Sequence, residues 1–167
     1  MGVAGAGKSA VGSALANALG AAFVEGDAYH PASNVQRMAA GIPLTDADRL
    51  PWLHALAARL RKADETGAGL VMACSALKRS YRDVLRAGAA NLTFIYLHGD
   101  RELLAARLAQ RLDHFMPPSL LESQLAALEA PASDEGAWAY DIRLAPREIV
   151  AAVLACIAAK KTKAPLR

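Results

Sequence analysis

The chain has 167 residues, 54% of them hydrophobic and 21% charged, with a formal net charge of +3. That length suits one domain with a sizeable core, here expected to span 1–167, and the composition excludes a disordered chain. The modest charge gives little reason to expect a nucleic-acid partner. Six of the nineteen basic residues follow position 142, Lys160, Lys161 and Lys163 among them, but no aromatic residues interleave with them, so the run reads as a solvated end.

No apolar stretch approaches the ~18 residues that a spanning helix needs. The N-terminus lacks the basic region and apolar run of a signal peptide, and Ala6 breaks a myristoylation site. Cys74 and Cys156 have no metal-ligand spacing and read as small buried hydrophobes of a reducing compartment. A soluble cytoplasmic protein without membrane contact is expected.

Gly2-Val3-Ala4-Gly5-Ala6-Gly7-Lys8-Ser9 fits G-x-x-x-x-G-K-[ST], a loop that wraps nucleotide phosphates in backbone N–H groups. Its donors would be the amides of Gly2, Gly5, Ala6, Gly7, Lys8, Ser9 and Ala10. Lys8 reaches the β/γ-phosphates as a point charge, and the Ser9 hydroxyl suits their Mg²⁺. A helix expected over about 8–19 aims its positive end at the same charge. Such a loop normally follows a buried parallel strand. Only Met1 precedes Gly2, so that first strand is missing from this sequence. Met1 is expected to be internal to a longer reading frame; as a true start it would leave the sheet without a central strand.

Short apolar runs then alternate with helical patterns, which predicts an α/β fold: a parallel sheet flanked by helices. Strands are expected at 21–24, 70–74, 92–97 and 140–142. Helices are expected at 34–40, 46–62, 78–86, 101–112, 119–128 and 146–159. Thr45 suits an N-cap, with Asp46 and Asp48 in the first turn, and Pro146 suits a first helical position. Segments 26–51 and 114–131 carry Pro, Gly and polar residues, as helical lids and substrate flaps do.

In an open parallel sheet, ligands bind beyond the carboxyl ends of the strands. Asp27 follows the first predicted strand and is placed to align an acceptor hydroxyl and take its proton, unless it is only a turn or cap residue. Glu25, two residues earlier, points the same way and could meet Mg²⁺ through water, or be structural. His30 and Arg49 are each open to a structural reading as well. Lys78 and Arg82 stand four apart and could share a helix face as an anion clamp. Arg79, Asp83 and Arg86 read as solvated pairs. Arg107 and Arg111 form a second i, i+4 basic pair; beside such a loop they become candidates for neutralising a transferring phosphoryl group.

Several stretches carry a resemblance. They are Gly26-Asp27-x-x-His30-Pro31-x-x-Asn34; Met38-x-x-Gly41-x-Pro43-Leu44-x-Asp46-x-Asp48-Arg49-x-Pro51-Trp52-Leu53; Cys74-Ser75-Ala76-Leu77-Lys78-x-x-Tyr81-Arg82; Phe94-Ile95-Tyr96-Leu97; His114-Phe115; and Ser123-Gln124-x-x-x-Leu128-Glu129-x-Pro131. Together they resemble the small bacterial gluconate kinases, P-loop enzymes related to shikimate and nucleoside monophosphate kinases. The resemblance implies ATP- and Mg²⁺-dependent phosphorylation of the 6-hydroxyl of D-gluconate. By the same resemblance Asp27 is the acceptor-side acid, and His30, Arg49, Lys78, Arg82, His114 and Gln124 contact the sugar acid or its phosphate. A five-stranded parallel sheet, a lid and a homodimer are also implied. The chain departs from that pattern at Ala4 and Ala6, where serines are usual, and at Asp113, where glycine is frequent. The alternatives are a kinase for another hydroxylated acid such as shikimate, and an ATP-binding module inactive for want of its first strand.

Overall fold

The computed structural model describes residues 1–110 and 118–163. Its strands are β1 (Ala22–Glu25), β2 (Leu70–Ala73), β3 (Ile95–His98) and β4 (Trp138–Asp141). Its α-helices are α1 (Lys8–Leu19), α2 (Ala32–Ala39), α3 (Asp46–Thr66), α4 (Arg79–Arg86), α5 (Arg101–Ala109), α6 (Pro118–Ala127) and α7 (Pro146–Lys163), with 3₁₀ turns at Gly26–Tyr29 and Ser133–Glu135. Helix boundaries follow their punctuation. Gly20 takes φ 62° and returns its N–H to Ala16 and Asn17, a left-handed stop that a Cβ would oppose. Thr45 and Asp48 exchange side-chain and backbone hydrogen bonds at the start of α3, closing a capping box.

β1 pairs in parallel with β2, Ala22 opposite Leu70, and β3 pairs in parallel with β4, Ile95 opposite Trp138. The continuous five-stranded sheet implied above is therefore replaced, among the described residues, by two pairs. Backbone that lines the gap between them comes from the first two residues. The Met1 amine donates to the Ile95 carbonyl, Leu97 N–H donates to Met1 at 3.0 Å, and Gly2 N–H donates to Ser75 at 3.1 Å. Behind these contacts lies a cavity of about 450 Å³, lined by Met1, Val71, Met72, Ile95, Leu97 and Val153 among others. Its lining is mostly apolar, with Lys8, Asp64, Asn91, Thr93 and Lys160 among the polar residues. Burial pushes the Met1 amine down to about 5, the nearby Lys8 charge adding to the effect.

The core has two main parts. Val11 and Leu15 of α1 pack with Leu97, Leu104, Ile149 and Val153. Trp52, Leu53 and Leu56 of α3 pack with Tyr81 and Leu85 of α4. This second part braces the candidate site. Cys74 is buried as expected, but Cys156 is exposed on α7, its sulfur 3.7 Å from the Tyr140 hydroxyl. No helix among the described residues is long and apolar enough to cross a membrane.

Candidate active site

The phosphate loop is the backbone concavity its glycines predict. Gly2, Gly5 and Gly7 have φ of 135°, 81° and 82°, and a Cβ on Gly5 would come within 2.8 Å of the Leu104 carbonyl. Gly7 caps α1, so the helix N-terminus opens into the loop. The Lys8 ammonium donates to the Val3 carbonyl at 3.0 Å, lying across the loop that would hold the phosphates. The Ser9 hydroxyl donates to Glu25 Oε2 at 2.5 Å, which joins the two residues suggested for the nucleotide's metal. Ala10 follows in the exposed first turn of α1. Arg107 of α5 donates to the Ile142 carbonyl at 2.6 Å, and its other terminal nitrogen is 3.9 Å from where a Cβ on Gly7 would sit. That puts a guanidinium beside the loop. Arg111 and His114, like Asp113, lie outside the described residues.

Beside the loop, at the end of β1, the chain turns through Gly26–Tyr29 and presents Asp27 at the surface. The turn is anchored from below: Trp52 Nε1 donates to the Gly26 carbonyl at 2.8 Å, and Trp52 is 1% exposed. His30 stacks on the same indole, ring centroids 4.2 Å apart at 15°. Its pKa is lowered, chiefly by burial; Asp27 opposes the shift and Arg49 assists it. Buried Asn34 donates to the Asp48 carbonyl at 2.7 Å, tying α2 to α3. Arg49 is half-buried, its guanidinium 5.9 Å from the centre of the Tyr81 ring.

The turn after β2 carries Ala76 at φ 45°, a left-handed conformation that costs an alanine roughly 1 kcal/mol. Arg82 holds that turn. Its Nη1 donates to the Ala76, Leu77 and Glu129 carbonyls at 3.1, 3.2 and 3.0 Å. Its Nε and Nη2 meet the two Glu135 oxygens at 2.6 and 2.7 Å. Arg82 is 0% exposed, and these donors turn to the protein around it. The expected Lys78–Arg82 clamp is thus corrected. Lys78 is the N-cap of α4 rather than part of its face, and its ammonium turns outward to Asp46 at 2.8 Å. Gln124 is buried, and its Oε1 accepts the Ala4 N–H at 2.7 Å, propping the phosphate loop from α6. Arg79 and Arg86 are structural as anticipated, paired with Asp134 and with Asp83 and Glu135.

Sequence reasoning missed Glu135 and the Asp46–Tyr81 contact. Glu135 lies 53 residues from Arg82, and no local pattern links them. Its carboxyl is held down to about 2, first by the Arg82 hydrogen bonds.

Comparison with known proteins agrees with this geometry. The AAA domain family matches residues 1–131. The thermosensitive gluconokinase of Escherichia coli is 49% identical over 138 residues, covering 81% of this chain and 72% of the relative. A solved gluconokinase structure from Sinorhizobium meliloti 1021 is 50% identical with a TM-score of 0.85, covering 95% of this chain and 89% of that one. An unliganded sugar kinase from Janibacter sp. HTCC2649 is 44% identical with a TM-score of 0.89, covering 93% and 90%.

Proposed function

The chain belongs to the gluconokinase family of P-loop kinases, and we propose that it transfers the γ-phosphoryl group of ATP to the 6-hydroxyl of D-gluconate, giving 6-phosphogluconate and ADP. The observation that carries this reading is the grouping of donors and acids at the carboxyl ends of β1 and β2, next to the loop. Gly2 N–H bonds Ser75 just beyond β2, Asp27 follows β1, and Lys78 follows the Ala76 turn. On this reading a phosphate cradle and a polar rim serve one site.

Gluconate has a carboxylate, which suits Arg49 and Lys78, and a row of hydroxyls, which suits neutral His30 and Asp27. Asp27 aligns the 6-hydroxyl with phosphorus and takes its proton as the new O–P bond forms and the bond to ADP breaks. Lys8 swings from Val3 to the phosphates, and Arg107 neutralises charge from the far side, with Arg111 of the following segment assigned the same task. Ser9 and Glu25 are a pair of hard oxygens fitted to Mg²⁺, which supplies neutralisation of the phosphate charge when bound. By family likeness the enzyme works as a cytoplasmic homodimer, with 1–167 as one kinase domain and with His114 reaching the sugar acid.

A coupled assay of ADP release, scanning gluconate, shikimate and nucleoside monophosphates, tests the reading. Turnover with gluconate and Mg²⁺ is expected; equal rates with shikimate would reject the sugar-acid assignment. Nucleotide binding with no ADP release for any acid would reject turnover altogether.

A further inference from the structure

Asp46 is the first residue of α3, and nothing above gives it a task. Its carboxylate receives two hydrogen bonds from Lys78 Nζ, one to each oxygen at 2.8 Å, and a third from the Tyr81 hydroxyl. Tyr81 is 5% exposed and packed in the α3–α4 core, so its hydroxyl is a fixed post at the surface. From the other side the Thr45–Asp48 capping box fixes the helix turn that carries Asp46. Two cations gather on the same ring: Lys78 Nζ is 5.7 Å and the Arg49 guanidinium 5.9 Å from its centre. Asp46 itself stays open to water, with its side chain 63% exposed.

An exposed ion pair on a helix surface does little for stability. Here, though, one partner is anchored on two sides while the other is a four-carbon chain with free rotors. Ordering that chain ahead of binding removes a cost the substrate would otherwise bear. We propose that Asp46, held by Tyr81, is a positioning residue for the sugar acid: it presets Lys78 beside Arg49 so that the two cations meet the substrate's carboxylate together. The inference rests on the gluconokinase reading, in which Lys78 touches substrate and Asp46 does not.

Steady-state kinetics on four proteins decide it: wild type, Asp46→Ala, Lys78→Ala and the double variant, with unfolding midpoints measured alongside. Asp46→Ala is expected to raise KM for gluconate about tenfold, the size of ordering a lysine chain. Its kcat and its KM for ATP should stay near wild type. In the Lys78→Ala background the Asp46→Ala change should add nothing to KM, a coupling that a merely structural role would not produce. Asp46→Asn keeps an oxygen for Lys78 and Tyr81 and should restore much of the loss, which also separates positioning from misfolding. The proposal alone is overturned by an unchanged KM in Asp46→Ala, by a lower one, which would make Asp46 a competitor of the substrate carboxylate, or by additive effects in the double variant. An unchanged KM in Lys78→Ala, with gluconate still phosphorylated, removes the proposal and Lys78's role but leaves the activity standing. Absence of gluconate turnover in wild type removes the activity itself and the proposal with it.

Discussion

On the substrate side of the phosphate loop, polar groups are held from beneath. Trp52 fixes the Gly26 carbonyl under Asp27, Arg82 fixes the turn that leads to Lys78, and Tyr81 fixes Asp46. Behind the loop the reverse holds. Mostly apolar residues, several of them from β2 and β3, line about 450 Å³, and the Met1 amine is buried beside them. The polar groups of the candidate site are thus tied to local anchors in the α3–α4 core. The aim of the loop, by contrast, rests on few bonds from Met1 and Gly2, helped by Gln124 on Ala4.

The largest effect should fall on the rim. Asp27→Asn keeps the shape of the turn but not a base, and is expected to lower kcat by about two to four orders of magnitude. ATP affinity, measured by titration, should hardly move, because the loop does not depend on Asp27. Wild-type turnover in that variant would take the acid's role away from this side of the loop.

One layer down, Arg82→Met should cost about 3–5 kcal/mol of stability, the loss expected when a buried pair is broken and Glu135 is left alone. Denaturant unfolding measures it. A Glu135→Leu, Arg82→Met double variant should recover a good part, and its KM for gluconate should exceed wild type only as far as the Ala76 turn relaxes. A loss of substrate affinity with stability intact would instead return Arg82 to the binding set.

The rim was readable where chemistry and local pattern coincide. The expected place of Asp27, just past a strand, is where the structure has it; Gly7 and Gly20 bounded α1; Thr45 and Asp48 marked the start of α3. Legibility failed where a backbone conformation intervened. Lys78 and Arg82 have helical spacing, but Lys78 has extended backbone as the N-cap of α4, and the two side chains go to different partners, Asp46 and Glu135. Partners distant in sequence were equally hidden, as with Glu135 on Arg82 and Gln124 on Ala4. β3 begins at Ile95 rather than 92, because Leu92 N–H closes a turn on Ala89. A periodic apolar run does not record where a turn ends.

Behind the loop, pH is the probe. In a chain with a free amine at Met1, burial lowers its pKa from 8.0 to about 5. Above pH 8 the amine is neutral in both states and carries no penalty. As pH falls toward 5, the unfolded chain takes up a proton that the folded chain refuses, so stability drops by up to about 4 kcal/mol. Unfolding measured from pH 8.5 to 5 should show that slope, and acetylating the amine should flatten it. Joining four or five Val, Ile or Leu residues ahead of Met1 should flatten it too and raise stability further, since the apolar walls would then be covered. An equally polar segment giving the same gain would show that the cavity is not a strand site.

The smallest effect belongs to the support of the rim. Thr45 accepts the Asp48 N–H at 3.2 Å while Asp48 accepts the Thr45 N–H at 2.8 Å. Thr45→Ala removes the first bond, and with it the one the Thr45 hydroxyl donates to Asp48 at 2.7 Å, and leaves the second, so about 1 kcal/mol of stability should go. The first turn of α3 carries both Asp46 and Arg49, so fraying there should also raise KM for the sugar acid slightly, with kcat unchanged. Thr45→Ser, which keeps the hydroxyl, should restore both. If stability falls and KM stays put, the Tyr81 post alone holds Asp46, and the capping box serves the helix but not the site.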